Sequence, residues 1–517
     1  MRHCTDQNSS PMLADDPQKP RQLICLPYFG PNVGPMPLTL VSIPTARQAR
    51  TFTIFEQSCF ISRRSPSART LSVCCFLMSG GSLFGVYSAE FAQLDDSIKS
   101  AAKEAAKGML SYYTGYKPGD VAGNIPDPYY WWEAGAMFGS MVEYYYYTGD
   151  DTWNDWTTQA LLHQVGVDDD YMPYNQSRTM GNDDQIFWAF AAMSAAETKY
   201  PDPPDGEPQW LQLAENVFNS QVARWDPSTC GGGLHWQAYE SLGGWHLKNS
   251  ISNGGLFNIA SRLAHYTNNA TYSHWAEKIW DWTEDIGLIR SDYTIWDNTD
   301  SKDNCTTFDR VQHAYLPAVF MHGSANMYAV TNGSKKWETR VIGITNALDA
   351  FFEPKNDHVM SQPCEVASCN LNEQSFKAYL ARFMGATVPL APFVETIIMT
   401  KINASAIAAA KQCSGGSDNK CGLRWTDGDQ YDGTTGIGEQ MSALEVIQST
   451  LARVKDVPVS KDTGGTSKGN DPSAGNTKDT NVNTRDMTTG DKAGAGVLVV
   501  LFVLAPVGAL VFLSELI

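Results

Sequence analysis

The sequence predicts an all-α domain of six helical hairpins closed into a ring. Three observations predict it. Between about Leu94 and Val454, apolar residues recur at the helical period almost throughout, and the alternation typical of strands is scarce. The periodic runs number twelve, an even count that pairs naturally into hairpins. Their starts usually lie about 20 to 40 residues apart, without the fixed-length repeat that builds an elongated solenoid.

In order, the runs fall at about 94–113, 131–147, 152–164, 182–199, 208–224 and 250–267, then at 272–286, 308–328, 334–352, 371–385, 391–410 and 436–454. Pro, Gly and Asn mark the loops between them. The stretches AGAMFGSMVEYYYY (134–147) and GGLFNIASRLAHY (254–266) are apolar with small residues and read as inner helices buried on both faces. HWAEKIWDWTEDI (274–286) carries one charged face and reads as an outer helix. Such a ring gathers its long loops at one end, where a cleft can form.

At 517 residues, 43% hydrophobic and 18% charged, the chain has the composition of a globular protein. A formal charge of −18 with no cluster of Lys or Arg excludes nucleic acid as a partner. No charged residue occurs from Ala493 to Ser514, and VLVVLFVLAPVGALVFL is long enough to cross a bilayer. A polar tract from about Ser460 to Lys492 precedes it, and only Glu515, Leu516 and Ile517 follow, without a basic stop-transfer segment. Small residues, a polar spacer and an apolar tail are the ingredients of a GPI-attachment signal, here with its attachment zone at Asn481 to Ala493. The expected organisation is therefore an upstream extension with an internal signal peptide (1–92), a helical domain (93–456), a disordered linker (457–492) and an attachment tail (493–517). The signal-peptide candidate places Arg63, Arg64 and Arg69 before LSVCCFLMSGGSLFGVYSA, with cleavage near Ala89 or Ala92. This predicts a secreted protein held to the outer membrane face or wall by a GPI lipid.

Cysteine usage agrees with secretion. Five of 11 cysteines (Cys4, Cys25, Cys59, Cys74, Cys75) lie upstream. The other six, Cys230, Cys305, Cys364, Cys369, Cys413 and Cys421, suggest three disulfides between nearest neighbours. There is no CxxC and no paired His spacing, so no metal site is expected. Sequons at Asn175, Asn269, Asn304, Asn332 and Asn403 point the same way.

The sharpest chemical signal is MGNDDQIFWAFAAMSAAE (180–197). Ile186, Phe187, Phe190 and Met193 define an apolar helical face, so Asn182 reads as the N-cap and Asp183 and Asp184 fall in the first turn. Acidic residues there are common because the helix dipole favours them. Three features argue for more. Gly181 and Trp188 bracket the pair in place of solvated charge, the start of an inner helix opens on the cleft, and a polar loop, VDDDYMPYNQS (167–177), leads into it. Glycoside cleavage needs two carboxyls, one ionised and one protonated. Neighbouring helical side chains diverge by about 100°, which permits the ~5–5.5 Å separation of retaining enzymes. Burial and like charge would raise one pKa while the helix dipole holds the other acid ionised.

The stretches PYYWWEAGAMFGSMVEYYYYTGD (128–150), YMPYNQSRTMGNDDQIFWAFAAMSAAE (171–197), GGLHWQ (232–237), LKNSISNGGLFNIASRLA (247–264) and GTTGIGEQMSALEVI (433–447) resemble glycoside hydrolase family 76. The likeness is strongest to its GPI-anchored fungal mannan endo-1,6-α-mannosidases and covers about 94–455. It implies an (α/α)6 barrel and a retaining endo-α-1,6-mannanase without cofactor, with Asp183 as nucleophile and Asp184 as general acid/base. It further implies a transglycosidase role, with the mannoside of a GPI glycan as donor and wall β-glucan as acceptor. Candidate sugar-binding residues are Trp131, Trp132, Asp168, Asp169, Asn175, Trp188, His235, Trp236, Gln237, Lys248 and Asn249. For each a structural role is the competing account: core packing for the tryptophans, a solvated loop for the acids, a structural histidine for His235. A diphosphate-binding DDxxD site fails because position 187 is Phe. A catalytically silent mannan-binding or structural wall protein on the same fold is the other alternative, and the intact acid pair argues against it.

Overall fold

The computed structural model describes residues 3–5, 24–26, 83–353 and 358–470. Among these, twelve helices of ten or more residues follow one another: α1 Leu83–Leu110, α2 Trp131–Thr148, α3 Asn154–His163, α4 Asn182–Glu197, α5 Trp210–Ala223, α6 Ser250–Thr267, α7 Ala270–Asp285, α8 Tyr315–Val330, α9 Lys335–Ala347, α10 Phe376–Thr387, α11 Glu395–Gln412 and α12 Ile437–Gln448. Each corresponds to one predicted run. The even-numbered helices pack each on the next, and α12 packs back on α2, closing an inner ring. The odd-numbered helices lie outside it, α1 chiefly against α12 and the others against their neighbours in sequence. This is the (α/α)6 barrel.

Burial explains which helix goes where. In α4 every residue from Gln185 to Glu197 is buried, so it has no solvent face to show. In α7 the buried set is Tyr272, Ala276, Ile279, Trp280, Trp282 and Thr283, a stripe at i, i+4, i+7 and i+8, and the charged residues face out. Each large side chain buried in this way contributes roughly 1.5–3 kcal/mol. Inner helices also approach closely: a Cβ at Gly254 of α6 would stand 2.4 Å from the Phe320 ring of α8. Two buried arginines tie the ring across its interior. Arg262 pairs with Glu197 at 2.8 Å, and Arg382 with Glu445 at 2.5 Å.

Two local expectations are corrected. The run at 308–328 becomes helical only at Tyr315, because Phe308–Asp309 joins Asn298–Asp300 and Leu247–Asn249 in a small antiparallel sheet that takes up the backbone hydrogen bonds. Pro317 then falls in the first turn of α8, where its missing N–H costs least. The stretch 457–470 is not a disordered linker. Val459 N–H donates to Glu197 O, Lys461 N–H to Tyr266 O and Leu211 N–H to Ser467 Oγ, while the Tyr266 hydroxyl donates to Ser467 O. A polar composition hid this strap because hydrogen bonds, largely to its backbone, do most of the docking, with Val459 packed on the core.

The cysteines pair as Cys230–Cys305, Cys364–Cys369 and Cys413–Cys421, between nearest neighbours as the sequence suggested. In the upstream unit, His3–Thr5 and Ile24–Leu26 pair antiparallel. The attachment tail, the polar tract from 471 and most of the signal-peptide candidate lie outside the described residues.

Candidate active site

The inner helices run parallel, so their N-termini meet at one end of the barrel. A groove of about 470 Å³ opens there. Trp131 and Trp132 come from the start of α2, Asp183, Asp184 and Phe187 from α4, Tyr315 from α8 and Phe376 from α10. Helix N-termini carry partial positive charge, so this end of the fold suits carboxylates.

Gly181, with φ −79° and ψ 159°, is the cap of α4, and Asn182 is already helical. The expected Asn182 cap is thus displaced by one residue. The Asn182 amide is used instead to donate to His235 O at 2.8 Å and to accept from Arg224 Nε at 2.8 Å. At the third helical position Asp184 folds back, and its Oδ2 accepts the Gly181 N–H at 2.7 Å. Asp183 points the other way. Its Oδ1 accepts the Asp184 N–H at 3.1 Å, and its Oδ2 accepts the Trp236 indole N–H at 3.0 Å and the Asn249 amide at 3.4 Å. Gly181 is required by this closeness: a Cβ there would lie 2.2 Å from Asp183 Oδ1.

Both acids are raised above the usual carboxylate range. Burial lifts Asp184 to about 6. Burial first, and then the charge of Asp184, lift Asp183 well up. The two carboxyls titrate as an interacting pair, so a proton on one bears on the other. Three N–H donors reach the oxygens of Asp183 against one for Asp184, and each such bond supports the anion of the acid that accepts it.

Trp131, Trp132 and Trp236 line the groove, and Asn249 reaches it by its bond to Asp183. The Trp131 indole is fixed by Gln164 Oε1 at 2.8 Å, that of Trp132 by Asn372 Oδ1 at 3.3 Å. The other candidates are not among the lining residues. Trp188 is fully buried between Trp131 and Tyr171, with ring centroids at 5.0 and 5.5 Å, so it supports the wall from behind. Buried His235 is stacked on Trp245, with Nδ1 2.8 Å from Trp245 O and Nε2 3.0 Å from Asp226 Oδ2. The Lys248 ammonium is wholly buried and donates to Asp226 Oδ2 and to the carbonyls of Asp226, Thr229 and Gly232. These two residues anchor the loop that carries Trp236. Gln237 forms a backbone bridge with Gly181. Asp168 and Asp169 hold Asn216 through their carbonyls, and Asn175 is exposed on the one-turn helix Tyr174–Ser177.

Sequence reasoning missed Tyr130, Gln176, Thr179, Met180, Tyr315, Asn372 and Phe376, which complete the groove. Tyr130 lies beside Trp131, Gln176 in the polar loop 167–177 and Thr179 and Met180 beside the acid pair, whereas Tyr315, Asn372 and Phe376 carried no local signal. Glu133 and Glu439 form a second pair of acids, the charge of Glu439 acting on Glu133. Both are buried, and burial raises each to about 7. Glu133 Oε2 accepts the Tyr130 N–H at 2.8 Å, tying this acid to the groove wall.

Known proteins share this sequence and fold. The family model for glycosyl hydrolase family 76 matches residues 97–462. Mannan endo-1,6-alpha-mannosidase DCW1 of Candida glabrata is 45% identical over 429 residues, covering 82% of this chain and 95% of its own. Mannan endo-1,6-alpha-mannosidase DFG5 of Saccharomyces cerevisiae is 39% identical over 429 residues, covering 81% and 93%. The crystal structure of Dfg5 from Chaetomium thermophilum in complex with glucosamine superposes with a TM-score of 0.70 at 38% identity, covering 74% of this chain and 96% of that one. An inactive variant of the α-1,6-mannanase GH76A of a Salegentibacter species, in complex with α-1,6-mannotetrose, shares the fold with a TM-score of 0.56 at 15% identity, covering 69% and 99%.

Proposed function

This chain belongs to glycosyl hydrolase family 76, and from that premise we propose that it is a retaining endo-α-1,6-mannosidase whose reacting acids are Asp183 and Asp184. The observation that carries the reading is the acid pair itself. Two adjacent carboxyls at one helix start line a single aromatic-walled groove, and they are supported differently, Asp183 by three donors and Asp184 by one.

Asp183 attacks the anomeric carbon as Asp184 gives its proton to the departing glycosidic oxygen, leaving a mannosyl ester on Asp183. Asp184, now ionised, takes a proton from the incoming hydroxyl, whose oxygen attacks the same carbon and expels Asp183. Water as acceptor gives hydrolysis; a sugar hydroxyl gives transfer, and transfer from a GPI-glycan mannoside to wall β-glucan is part of the proposal. Trp131, Trp132 and Trp236 offer the faces on which sugar rings pack.

We place the protein on the secretory route and at the outer cell surface, tethered through a GPI lipid. The apolar run 497–513 behind a polar tract, three disulfides and the sequons at Asn175, Asn269, Asn304, Asn332 and Asn403 support this.

The test is the purified protein, its Asp183→Asn and Asp184→Asn variants, and an α-1,6-mannotetraose, with and without a β-glucan oligomer. Proton NMR of the first product should show the α anomer, and each variant should lose at least about 10³-fold in rate. Activity surviving both substitutions would refute the assignment of the two acids, and an inactive native protein that still binds the tetraose would leave only a mannan-binding role.

A further inference from the structure

A polar construction stands directly behind the acid pair, on the face of the α4 start turned away from the groove. Arg224, the first residue after α5, places its guanidinium there. Nε donates to Asn182 Oδ1 at 2.8 Å, Nη2 to Gln185 Oε1 at 2.5 Å, and Nη1 approaches Met172 Sδ at 3.5 Å. Residues 182 and 185 are the immediate neighbours of Asp183 and Asp184, so one fork grips both flanks of the pair.

We propose that Arg224 is a positioning residue for the two acids, acting through Asn182 on the segment that brings Trp236 to Asp183. The links are explicit. Because Oδ1 of Asn182 must face the guanidinium, its NH₂ is turned to the carbonyls of His235, at 2.8 Å, and Gln237, at 3.4 Å. A flipped amide would set donor against donor. The Asn182 N–H adds a third bond, to Trp236 O at 2.7 Å. All three bonds end on residues 235–237, and the indole of Trp236 donates to Asp183 Oδ2. On the other flank, Gln185 Oε1 also accepts from Gln221, while its NH₂ donates to Asp170 O and Ser220 Oγ.

The choice of arginine is informative. Its bonds go to amide oxygens and a thioether, so its charge is not consumed in a close ion pair; Asp170 and Tyr239 are the titratable groups whose charge it feels most. A fixed fork orients two amides at once, which a lysine ammonium cannot do.

The inference rests on Asp183 and Asp184 being the reacting acids. The experiment compares Arg224→Gln, Arg224→Lys, Trp236→Phe and the double variant Arg224→Gln/Trp236→Phe in kcat, KM, pH profile and melting temperature. Arg224→Gln should lower kcat about 10- to 100-fold with KM within about threefold, and should move the acid limb of kcat/KM to higher pH. Arg224→Lys, which cannot orient both amides, should recover kcat only in part. The double variant should lose less than the product of the two single losses. A native kcat and pH profile in Arg224→Gln, with melting alone reduced, overturns the proposal, as do fully multiplicative losses. If Arg224→Gln does not fold, Arg224→Lys decides, and a kcat within threefold of native refutes it. Activity in Asp183→Asn and Asp184→Asn sinks the underlying reading; loss of activity there beside an unaffected Arg224→Gln sinks only this one.

Discussion

Replacing Gly181 with alanine adds one carbon beside the proposed nucleophile. That Cβ would stand 2.2 Å from Asp183 Oδ1 and 3.3 Å from Trp236 Nε1. A tolerable contact needs about 1 Å more separation from the carboxylate oxygen. The backbone cannot supply the reason for any loss, because φ −79° and ψ 159° are ordinary for alanine. The displacement therefore falls on the Asp183 side chain and the indole that holds it. A misplacement of about 1 Å in a reacting group costs on the order of 10²-fold in rate, equivalent to about 2.7 kcal/mol on the barrier. Stability should change little. Alanine is a poorer cap than glycine by up to about 1 kcal/mol, and the reduced freedom of the unfolded chain offsets about half of that. The assay is initial rate on an α-1,6-mannotetraose beside a melting curve. The expected result is a kcat lowered about 100-fold with a melting temperature within a few degrees of native. A kcat within threefold of native would refute the placement of Asp183 as the attacking group.

Four further outcomes are checkable. Trp236→Phe keeps a ring in the groove wall but removes the indole donor to Asp183, so kcat should fall about 10- to 100-fold and the acid limb of its pH profile should rise; an unmoved limb would count against it. Lys248→Met leaves the largely buried Asp226 carboxylate without its cation and frees the loop carrying Trp236, with a loss of about 2–3 kcal/mol in urea unfolding. Glu439, raised from 4.5 to about 7, binds its proton more tightly when folded, so its contribution to stability is greatest below pH about 4.5 and is lost as pH rises to about 7. Glu439→Gln should therefore flatten the decline between pH 4.5 and 7.5 by at most about 3 kcal/mol, and an unchanged pH dependence would contradict the assignment. Truncation after Asp456 removes the four hydrogen bonds of the strap named above, and should cost about 2–4 kcal/mol.

The ring was legible because each helix carries its own instruction. The small and apolar residues of α4 and α6 have no solvent face, while α7 has one, so inside and outside could be told apart locally. The Asp183–Asp184 pair was legible for the same reason, being one turn of one helix. What was not legible depends on closure. Tyr315, Asn372 and Phe376 reach the groove only because closing the ring brings the N-terminal ends of α8 and α10 to the same end as that of α4, and nothing in the neighbourhoods of those residues announces it. The strap at 457–470 escaped because composition reports side chains, whereas its attachment is made largely by backbone N–H and C=O groups.

The candidates that proved to be anchors share a physical cause. The loop that presents Trp236 follows three successive glycines, and polar groups fix its course. Lys248 does so by collecting the carbonyls of Asp226, Thr229 and Gly232 as well as the Asp226 carboxylate, and His235 by bridging Asp226 to Trp245 O. In sequence these residues are indistinguishable from sugar ligands, since both tasks call for buried hydrogen-bonding groups beside glycines. They differ in what they touch. A sugar ligand lost should raise KM for a long mannan more than for a short one, because it removes binding at one subsite. An anchor lost should lower kcat equally for every chain length, because it disturbs the one bond, from indole to Asp183, that all substrates use. Lys248→Met and His235→Ala should follow the second pattern, and Trp132→Ala, whose ring forms the groove wall, the first.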